Sequence, residues 1–367
     1  MRIAFAAPIK PPDHAIASGD RLIAANTVEA LRRAGHEVVL ATRFIAYAKR
    51  HEPGLLARRR TEALAEAEAV IGRLRSAPPD LFLTYHPYCK APDWIGPRVA
   101  DAFAVPYVTL EAARTGQGAK GDVWADWRAQ AQAGFARADL HICLKPNDRA
   151  MLLDVLGPDA PVADLAPFLD VPAALPRRTG KSGDPVRLVT VAMMRPGKKT
   201  ANYALLARAM AQVGGSWTLD IVGDGPERGE VERLFAPLAD RVRFLGAMDR
   251  DDVLRAMAGA DVFVWPGLAE PIGMVYLEAQ AMGLPVAALR DMGVPLVVDD
   301  GRTGLLADRH DAAGLATVIE RLVADEVTRA SLGARARDHV VRHHSLDRAA
   351  VRLDELIAPL AKRDGPR

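Results

Sequence analysis

Two glutamates, Glu270 and Glu278, are separated by seven residues in a stretch that also holds Pro271 and Gly273. Glu270 follows an apolar run typical of a strand, and Gly273 opens a segment that predicts a helix carrying Glu278. Carboxylates accept hydrogen bonds from hydroxyl groups, and N–H groups at a helix start bind anions or sugar hydroxyls. The pattern fits a polyol ligand held by both carboxylates, although the spacing alone favours one loop acid and one solvated helix acid.

The elements that must position these residues alternate between short apolar runs and longer amphipathic segments. Strands are predicted at residues 3–7, 37–41, 81–85, 107–110, 141–144, 187–192, 218–222, 242–245, 262–265 and 286–289. Helices are predicted at residues 21–34, 203–213, 227–238, 251–257, 273–282 and 328–361, with others between the remaining strands. Such alternation indicates βαβ units, which form parallel sheets with helices on both faces.

A segment rich in proline, glycine and charge, residues 174–185, divides the chain into two halves. The predicted fold class is α/β, with two Rossmann-like doubly wound domains that face a central cleft, at residues 1–173 and 186–345. Residues 346–367 continue the last predicted helix. That helix packs either on its own domain or back on the first one, and the sequence leaves both alternatives open.

The composition excludes several classes of protein. The 367 residues hold 48 Lys and Arg against 46 Asp and Glu, so no basic excess predicts nucleic-acid binding. Two cysteines, Cys89 and Cys143, cannot form a disulfide framework and are expected to be reduced thiols. No apolar run reaches the ~18 residues of a membrane span. The N-terminal apolar stretch is too short for a secretion signal. A cytoplasmic protein is expected.

Several ordered motifs resemble the retaining GT-B glycosyltransferases of family 4. The two glutamates match the E-x7-E region of that family. Further segments match on both sides, at residues 221–226, 242–246, 260–266, 283–285 and 300–304. The resemblance covers nearly all of residues 187–345. It implies two domains of GT-B type, with an N-terminal acceptor-binding domain and a C-terminal domain that binds a nucleotide-sugar.

The resemblance also implies roles for single residues. Glu278 would accept hydrogen bonds from the ribose hydroxyls of the donor, and Glu270 would hold hydroxyls of the transferred sugar. Gly273 and Met274 would offer backbone N–H groups to the sugar or the diphosphate. The glycines in the Gly-Asp-Gly-Pro sequence, Gly223 and Gly225, would turn the chain beside the nucleotide, although this sequence makes a tight turn in any protein.

The family usually supplies an Arg and a Lys to neutralise the departing diphosphate. Lys198 occupies the family Lys position, whereas Met193 stands where the Arg is expected. Either Arg195 substitutes, or Lys199 shares the work, or the diphosphate is bound more weakly than in the family. These cations also fit a solvated loop.

Fewer motifs match in the first half. Gly19 lies where the family has a glycine-rich loop next to the donor phosphates, and Arg21 follows it in the first helical turn. Glu111 ends a predicted strand near which many family members carry a His. It is expected to act as an acceptor base or sugar ligand, or to pair with Arg114. His86 ends the preceding strand, where a structural role is the commoner one.

Three other signals are set aside. Asp249 and Asp251 match a D-x-D pattern but stand at a predicted helix start, where Asp caps N–H groups. His343 and His344 have no acid or thiol partner at metal-ligand spacing and are expected at the surface. Basic residues 58–60 lie in an amphipathic stretch that favours a solvated helix face over contact with an anionic membrane.

The resemblance therefore implies a retaining, metal-independent transferase that moves a sugar from a nucleotide-sugar, of UDP or GDP type, to an acceptor hydroxyl. The acceptor would be a glycan, a lipid-linked sugar or a small molecule, in bacterial glycan or envelope biosynthesis. No cofactor and no nucleic-acid partner are expected, and peripheral membrane contact is an alternative. A non-catalytic nucleotide-sugar-binding or scaffold protein of the same fold also fits, because Met193 and Glu111 depart from the family pattern. A nicotinamide-dependent oxidoreductase fits poorly, because that class needs a glycine-rich turn directly after the first strand, and residues 7–13 contain no glycine.

Overall fold

A computed structural model describes residues 1–16, 18–113, 123–171, 185–308 and 311–361. The chain divides into two units of parallel sheet and helix. Unit 1 consists of Met1–Ala166 together with Leu346–Arg367, and unit 2 is the continuous segment Pro167–Ser345. The predicted linker at residues 174–185 lies outside the described residues except for its last position.

Unit 1 is built on a six-stranded sheet. Its strands are β1 (Arg2–Ala6), β2 (Glu37–Leu40), β3 (Leu81–Tyr85), β4 (Tyr107–Leu110), β5 (Leu140–Cys143) and β6 (Val162–Asp164). Its helices are α1 (Gly19–Arg33), α2 (Leu55–Leu74), α3 (Gly96–Phe103), α4 (Ala125–Ala136) and α5 (Pro146–Leu156). All neighbouring strands pair in parallel, in the order β2-β1-β3-β4-β5-β6. The strand order reverses between β1 and β3, and ligands of doubly wound sheets bind at such a point, outside the carboxyl ends of the strands.

Unit 2 repeats this plan. Its strands are β7 (Val186–Val191), β8 (Trp217–Val222), β9 (Val242–Gly246), β10 (Val262–Val264), β11 (Val286–Leu289) and β12 (Gly304–Ala307). Its helices are α6 (Lys198–Met210), α7 (Arg228–Phe235), α8 (Arg250–Gly259), α9 (Met274–Ala281), α10 (Ala312–Ala324) and α11 (Glu326–His343). The strands are parallel in the order β12-β11-β10-β7-β8-β9, so the reversal falls between β10 and β7. The predicted pair of doubly wound parallel sheets is confirmed.

The last helix, α12 (Leu346–Ala361), belongs to unit 1, where it packs along α1. Its apolar face is buried, since Leu353 and Ile357 have no exposed surface. On the polar side, Arg33 at the end of α1 pairs with Asp347 at 3.0 Å. Unit 1 is therefore completed by a segment that follows unit 2 in the sequence.

The single helix predicted at residues 328–361 is wrong, because the structure has two helices that break at His344 and Ser345. The backbone carbonyl of His344 accepts a hydrogen bond from Leu169 N, and Ser345 bridges to Leu169. A chain that pairs with a distant segment cannot stay helical there. Neither glycine nor proline marks the break, so local sequence gave no sign of it.

Candidate functional site

The E-x7-E segment lies at the reversal point of the unit 2 sheet. Glu270 is in the loop after β10, and Gly273 caps the start of α9 with φ of 79°. A side chain at Gly273 would overlap the ring of Tyr276, so this turn requires glycine. Met274 is the first residue of α9, where N–H groups have no partner within the helix. Glu278 follows one turn later, and its burial raises the pKa of the carboxyl group, partly opposed by Arg250.

Glu270 is held by a cation from the neighbouring strand connection. Lys199 Nζ lies 2.7 Å from Glu270 Oε2, with its ammonium group 5.4 Å from the ring centroid of Trp265. Both partners of this ion pair retain some exposure, 28% for the lysine and 21% for the glutamate side chain. The sequence offered Lys199 as a second phosphate clamp, whereas in the structure it orients a carboxylate.

Lys198 and Arg195 are exposed, and neither makes an ion pair with any described residue. Lys198 is the first residue of α6, and the carbonyl of Arg195 accepts a hydrogen bond of 2.9 Å from the Thr200 hydroxyl. Met193 is also exposed, at 42%. The two cationic groups thus remain available for an anion beside a helix N-terminus, where the helix dipole also favours negative charge.

Gly223 and Gly225 bring the β8–α7 turn against the β7–α6 connection. Their φ values are 141° and 152°, and a side chain would overlap the carbonyl oxygen of Ala192 at the first and of Met194 at the second. Met194 N also donates to Asp224 O at 2.9 Å. The tight turn predicted from the sequence therefore needs both glycines, and the reason is this close approach of two loops.

Asn202 joins the cationic segment to the glutamate loop. Its side chain donates to the carbonyl oxygen of Leu268 at 3.1 Å and accepts from the amide of Leu268 at 2.8 Å. This residue was missed by sequence reasoning, since an Asn inside a helix carries no signal of a partner 66 residues away. Together, these contacts bring the carboxyl ends of β7, β8 and β10 into one site that holds Lys198, Glu270 and the start of α9.

In unit 1, the two residues expected next to a donor are ordinary helix-start residues. Gly19 is the first residue of α1, and nothing lies within 4 Å of a side chain placed there. Ser18 caps the helix by accepting from Arg21 N at 3.3 Å, and the Arg21 side chain donates to Pro12 O. The structure thus gives no steric reason for glycine at Gly19.

Glu111 is buried, with 3% exposure, and has two partners in unit 1. Lys145 Nζ pairs with one carboxylate oxygen, and the Tyr85 hydroxyl donates to the other at 3.0 Å. Lys145 also pairs with Asp148 at 3.0 Å. The expected partner, Arg114, lies outside the described residues. Tyr85 and Lys145 were not anticipated, because each comes from a different strand end.

His86 and Asp20 form a second polar pair beside this cluster. His86 Nδ1 lies 3.1 Å from Asp20 Oδ1, so α1 supplies the partner. Burial lowers the pKa of His86, but the charge of Glu111 and the hydrogen bond to Asp20 outweigh it, and the pKa is raised. Both His86 and Glu111 have positive φ, 55° and 58°, which is uncommon for residues other than glycine.

The residues that were set aside from the sequence have structural roles. Asp249 caps α8 by accepting from Asp252 N at 2.8 Å, as predicted. The surface position expected for His344 is wrong, since it is 4% exposed and its Nδ1 lies 2.6 Å from Pro167 O. His343 is exposed as expected.

The basic helix α2 presents Arg58 and Arg60 to solvent, whereas Val70 and Ile71 are buried in the core of unit 1. These apolar side chains of α2 pack in the core of unit 1, which agrees with the prediction that its basic face is solvated. None of the helices in the described part of the chain combines the length and apolar character needed to cross a bilayer.

Comparison with known proteins places these sites in context. The family model "Glycosyl transferases group 1" matches residues 185–325. The lipopolysaccharide core biosynthesis glycosyltransferase LpsE of Rhizobium meliloti is 32% identical over 213 residues, which are 58% of this chain and 62% of that protein. The D-inositol 3-phosphate glycosyltransferase of Corynebacterium kroppenstedtii is 32% identical over 202 residues, 52% of this chain and 44% of that protein. The chain therefore matches less than two thirds of the length of either relative.

Among solved structures, Anabaena Alr3699/HepE in complex with UDP superposes with a TM-score of 0.73 at 18% identity, covering 98% of this chain and all of that one. This likeness establishes the fold. The family match is carried by unit 2, and the fold likeness extends over both units. The chain thus matches the group 1 glycosyltransferases over residues 185–325, within unit 2, and it has the GT-B fold.

Proposed function

We propose that this protein transfers a sugar from a nucleoside-diphosphate sugar to an acceptor hydroxyl, with retention of anomeric configuration and without a metal ion. The observation that carries the proposal is the site at the reversal point of the unit 2 sheet. There, Glu270 and Glu278 flank the start of α9, and Lys198 begins α6 on the adjacent strand connection. Carboxylates for hydroxyls and cations for phosphates are the groups that a nucleotide-sugar requires.

Each residue has a proposed role. Glu278 accepts hydrogen bonds from the ribose, which compensates the desolvation that raises the pKa of this carboxyl group. Glu270, oriented by Lys199, accepts from hydroxyls of the transferred sugar. Gly273 and Met274 present N–H groups to the sugar or the diphosphate. Gly223 and Gly225 keep the turn beside the nucleotide free of side chains.

Lys198 and Arg195 are proposed to stabilise the departing diphosphate. The charge on the leaving oxygens grows as the glycosidic bond breaks, so cations fixed beside them lower the barrier. The diphosphate oxygen then removes the proton from the acceptor hydroxyl, which attacks from the same face of the sugar. Arg195 takes the place of the family arginine that is absent at Met193.

The similar proteins indicate which donor and which class of acceptor to test first. HepE was solved with UDP, so a uridine nucleotide is the first donor to test, with GDP as the second. The names of the two curated relatives point to a lipopolysaccharide core and to D-inositol 3-phosphate as acceptors. We propose an acceptor hydroxyl of a bacterial glycan or glycolipid.

Thermal unfolding with UDP, GDP and ADP tests the donor site. A ligand at a hundred times its dissociation constant stabilises the folded state by about 2.7 kcal/mol. One nucleotide is expected to raise the unfolding temperature of the wild type, and Lys198→Ala and Glu278→Gln are expected to lose most of that shift. The matched controls, Lys49→Ala and Glu326→Gln, change exposed residues of the same types and should keep it. Equal shifts in all five proteins would contradict the assignment.

The stereochemistry and metal independence need a turnover assay. With the donor identified, NMR of the product should give the same anomeric configuration as the donor sugar, and EDTA should leave the rate unchanged. An inverted product, or a rate restored by added Mg²⁺ after chelation, would refute the corresponding part of the proposal.

A non-catalytic binding protein is the second candidate, favoured by Met193 at the position of the family arginine. It predicts that the nucleotide-sugar binds with a normal thermal shift while neither transfer nor hydrolysis of the donor occurs. Restoring the family residue with Met193→Arg would then be expected to leave the protein inactive, whereas in an active enzyme the same change should preserve or raise the rate.

A further inference from the structure

A second group of polar and aromatic side chains lies at the reversal point of the unit 1 sheet, between β1 and β3. His86 directly follows β3, Glu111 follows β4, and Lys145 comes two residues after β5. Their strands are neighbours in the sheet, and Asp20 reaches the same edge from the start of α1. This is where a doubly wound sheet accepts a ligand, independently of the donor site in unit 2.

The backbone holds His86 and Glu111 in an uncommon conformation. The amide of His86 donates to Leu110 O and that of Glu111 to Ile142 O, both at 2.8 Å. At each of these two residues the backbone then turns with positive φ, a strained conformation for residues other than glycine, and such strain concentrates at functional sites. The two strand ends are thus turned so that both side chains meet at one edge.

Glu111 is not available to a ligand, whereas His86 is. Both oxygens of Glu111 are occupied, one by Lys145 and one by the Tyr85 hydroxyl. His86 uses Nδ1 toward Asp20 and is partly exposed, at 19% of its side chain. No described residue makes a hydrogen bond with its Nε2. Asp20 fixes the ring orientation, as a carboxylate commonly does for a functional histidine.

Aromatic rings extend from His86 along this edge. The Tyr88 ring lies 5.6 Å from the His86 ring and stacks on Tyr47 at 6.3 Å with an interplanar angle of 22°. Tyr88 and Tyr47 are both half-buried, so part of their surface remains accessible. An apolar ring surface beside a free hydrogen-bonding atom matches a pyranose, which has apolar C–H faces and hydroxyls on its rim.

The charge of the group disfavours an anionic ligand. Asp20, Glu111 and Asp148 contribute three carboxylates, and the one ammonium among them, on Lys145, is already paired with two. Lys10 is close enough to favour the charged form of Asp20, but none of the described residues pairs with it. A phosphorylated acceptor would therefore meet three carboxylates, and Lys10 would be the nearby ammonium group left to offset them.

We propose that Asp20, His86 and Tyr88 form the acceptor subsite, and that it takes an uncharged sugar ring with one hydroxyl on His86 Nε2 and one face against Tyr88. The inference rests on the proposed transferase function and names the acceptor class for it. His86 is an acceptor-binding residue, Asp20 positions it, and the Glu111–Lys145 pair holds the neighbouring strand ends.

Saturation-transfer NMR on the full chain, without donor, tests this directly. The probes are methyl α-glycosides of glucose, galactose and mannose, and the 6-phosphates of the same three sugars. At least one neutral glycoside is expected to bind, and no phosphate is expected to bind more tightly than its neutral counterpart. Tighter binding by the phosphates, or binding by none of the glycosides, would overturn the proposal.

Variants distinguish the subsite from adventitious binding. His86→Gln is expected to weaken the bound glycoside by about tenfold, which corresponds to about 1.4 kcal/mol. Tyr88→Leu should weaken it similarly, whereas Tyr88→Phe keeps the ring and should bind like the wild type. The matched control is His51→Gln, an exposed histidine of unit 1. Unchanged affinity in both His86→Gln and Tyr88→Leu would refute the assignment.

The nucleotide-induced thermal shift separates this inference from the proposed function. It reports on unit 2 and should be the same in all four unit 1 variants. If no nucleotide stabilises the wild type, the transferase proposal fails whatever the glycosides do. If the nucleotide shift is normal and the glycoside results are negative, only the acceptor inference fails.

Discussion

The buried pair of Glu111 and Lys145 makes a quantitative prediction for Lys145→Met. Methionine is similar in length to lysine, so the change removes the ammonium group with little loss of packing. It leaves Glu111, whose side chain is 4% exposed, with the Tyr85 hydroxyl as its remaining described partner, and it also leaves Asp148 unpaired. Removing one partner of a buried ion pair costs about 3–5 kcal/mol. We expect unit 1 to lose this much stability.

A double variant tests whether the charge is the cause. Glu111→Gln combined with Lys145→Met removes both charges of the closest pair and keeps the Tyr85 hydroxyl satisfied by the amide oxygen. The double variant should therefore be more stable than Lys145→Met alone, by about 2 kcal/mol. Lys49→Met, at an exposed lysine of the same unit, is the matched control and should have no measurable effect.

Hydrogen exchange read by mass spectrometry is the appropriate assay, because a protein of two units has no single free energy of unfolding. Peptides covering β4 and β5 should exchange roughly two to three and a half orders of magnitude faster in Lys145→Met, at about 1.4 kcal/mol per tenfold. Peptides covering β8 in unit 2 serve as the internal reference. Unchanged exchange in β4 and β5, or a double variant as unstable as the single one, would refute the reasoning.

Three further predictions concern unit 2. Glu278→Gln should raise the stability of unit 2 at neutral pH by roughly 1 kcal/mol while abolishing the nucleotide shift, because burial raises the pKa of the carboxyl group and the wild type loses stability as the pH rises above about 4.5. Hydrogen exchange of unit 2 peptides at pH 4 and pH 7 measures this, and a less stable variant at pH 7 would contradict it. Gly223→Ala should destabilise unit 2 by about 2 kcal/mol or more, because φ is positive there and the methyl group would overlap Ala192 O. Gly229→Ala lies in a helix with open space around it and should stabilise the protein slightly. Thermal unfolding compares the two variants, and equal melting temperatures would count against the steric argument. Burial lowers the pKa of His344 to about 4, so unit 2 should lose about 3 kcal/mol of stability as the pH falls from 6.5 to 4. This loss should be absent in His344→Gln. Hydrogen exchange of unit 2 peptides across that pH range measures it, and identical pH profiles for the two proteins would contradict the prediction.

In the proposed donor site, the residues that sequence reasoning found are those near one another in sequence. Glu270, Gly273 and Glu278 lie within one loop and one helix, so their spacing already determines their approximate geometry. Gly223 and Gly225 were found as a turn, but the reason for both glycines, the carbonyl groups of another strand connection, is a tertiary contact.

The partners of the unit 1 residues were beyond the reach of local patterns. Lys145 is 34 residues from Glu111, and Asp20 is 66 residues from His86. The Glu111–Lys145 pair forms because β4 and β5 are neighbours in the sheet, and the His86–Asp20 pair forms because α1 begins beside the end of β3. For the same reason Asn202 was overlooked, since its role depends on the loop at Leu268. Alternating apolar runs predict which elements exist, but the order of strands in a sheet decides which side chains meet.

The return of α12 to unit 1 has a consequence for biosynthesis. Unit 2 is contiguous, so it has all its own residues as soon as the ribosome has passed Ser345. Unit 1 cannot complete its folding until Leu353 and Ile357 have left the exit tunnel, and until then the surface of α1 that they cover is exposed. During that interval the nascent chain presents an apolar strip that chaperones recognise and that promotes aggregation. A chain ending at Ser345 would keep this strip permanently and is expected to accumulate in inclusion bodies, even though every residue of the proposed unit 2 site is present.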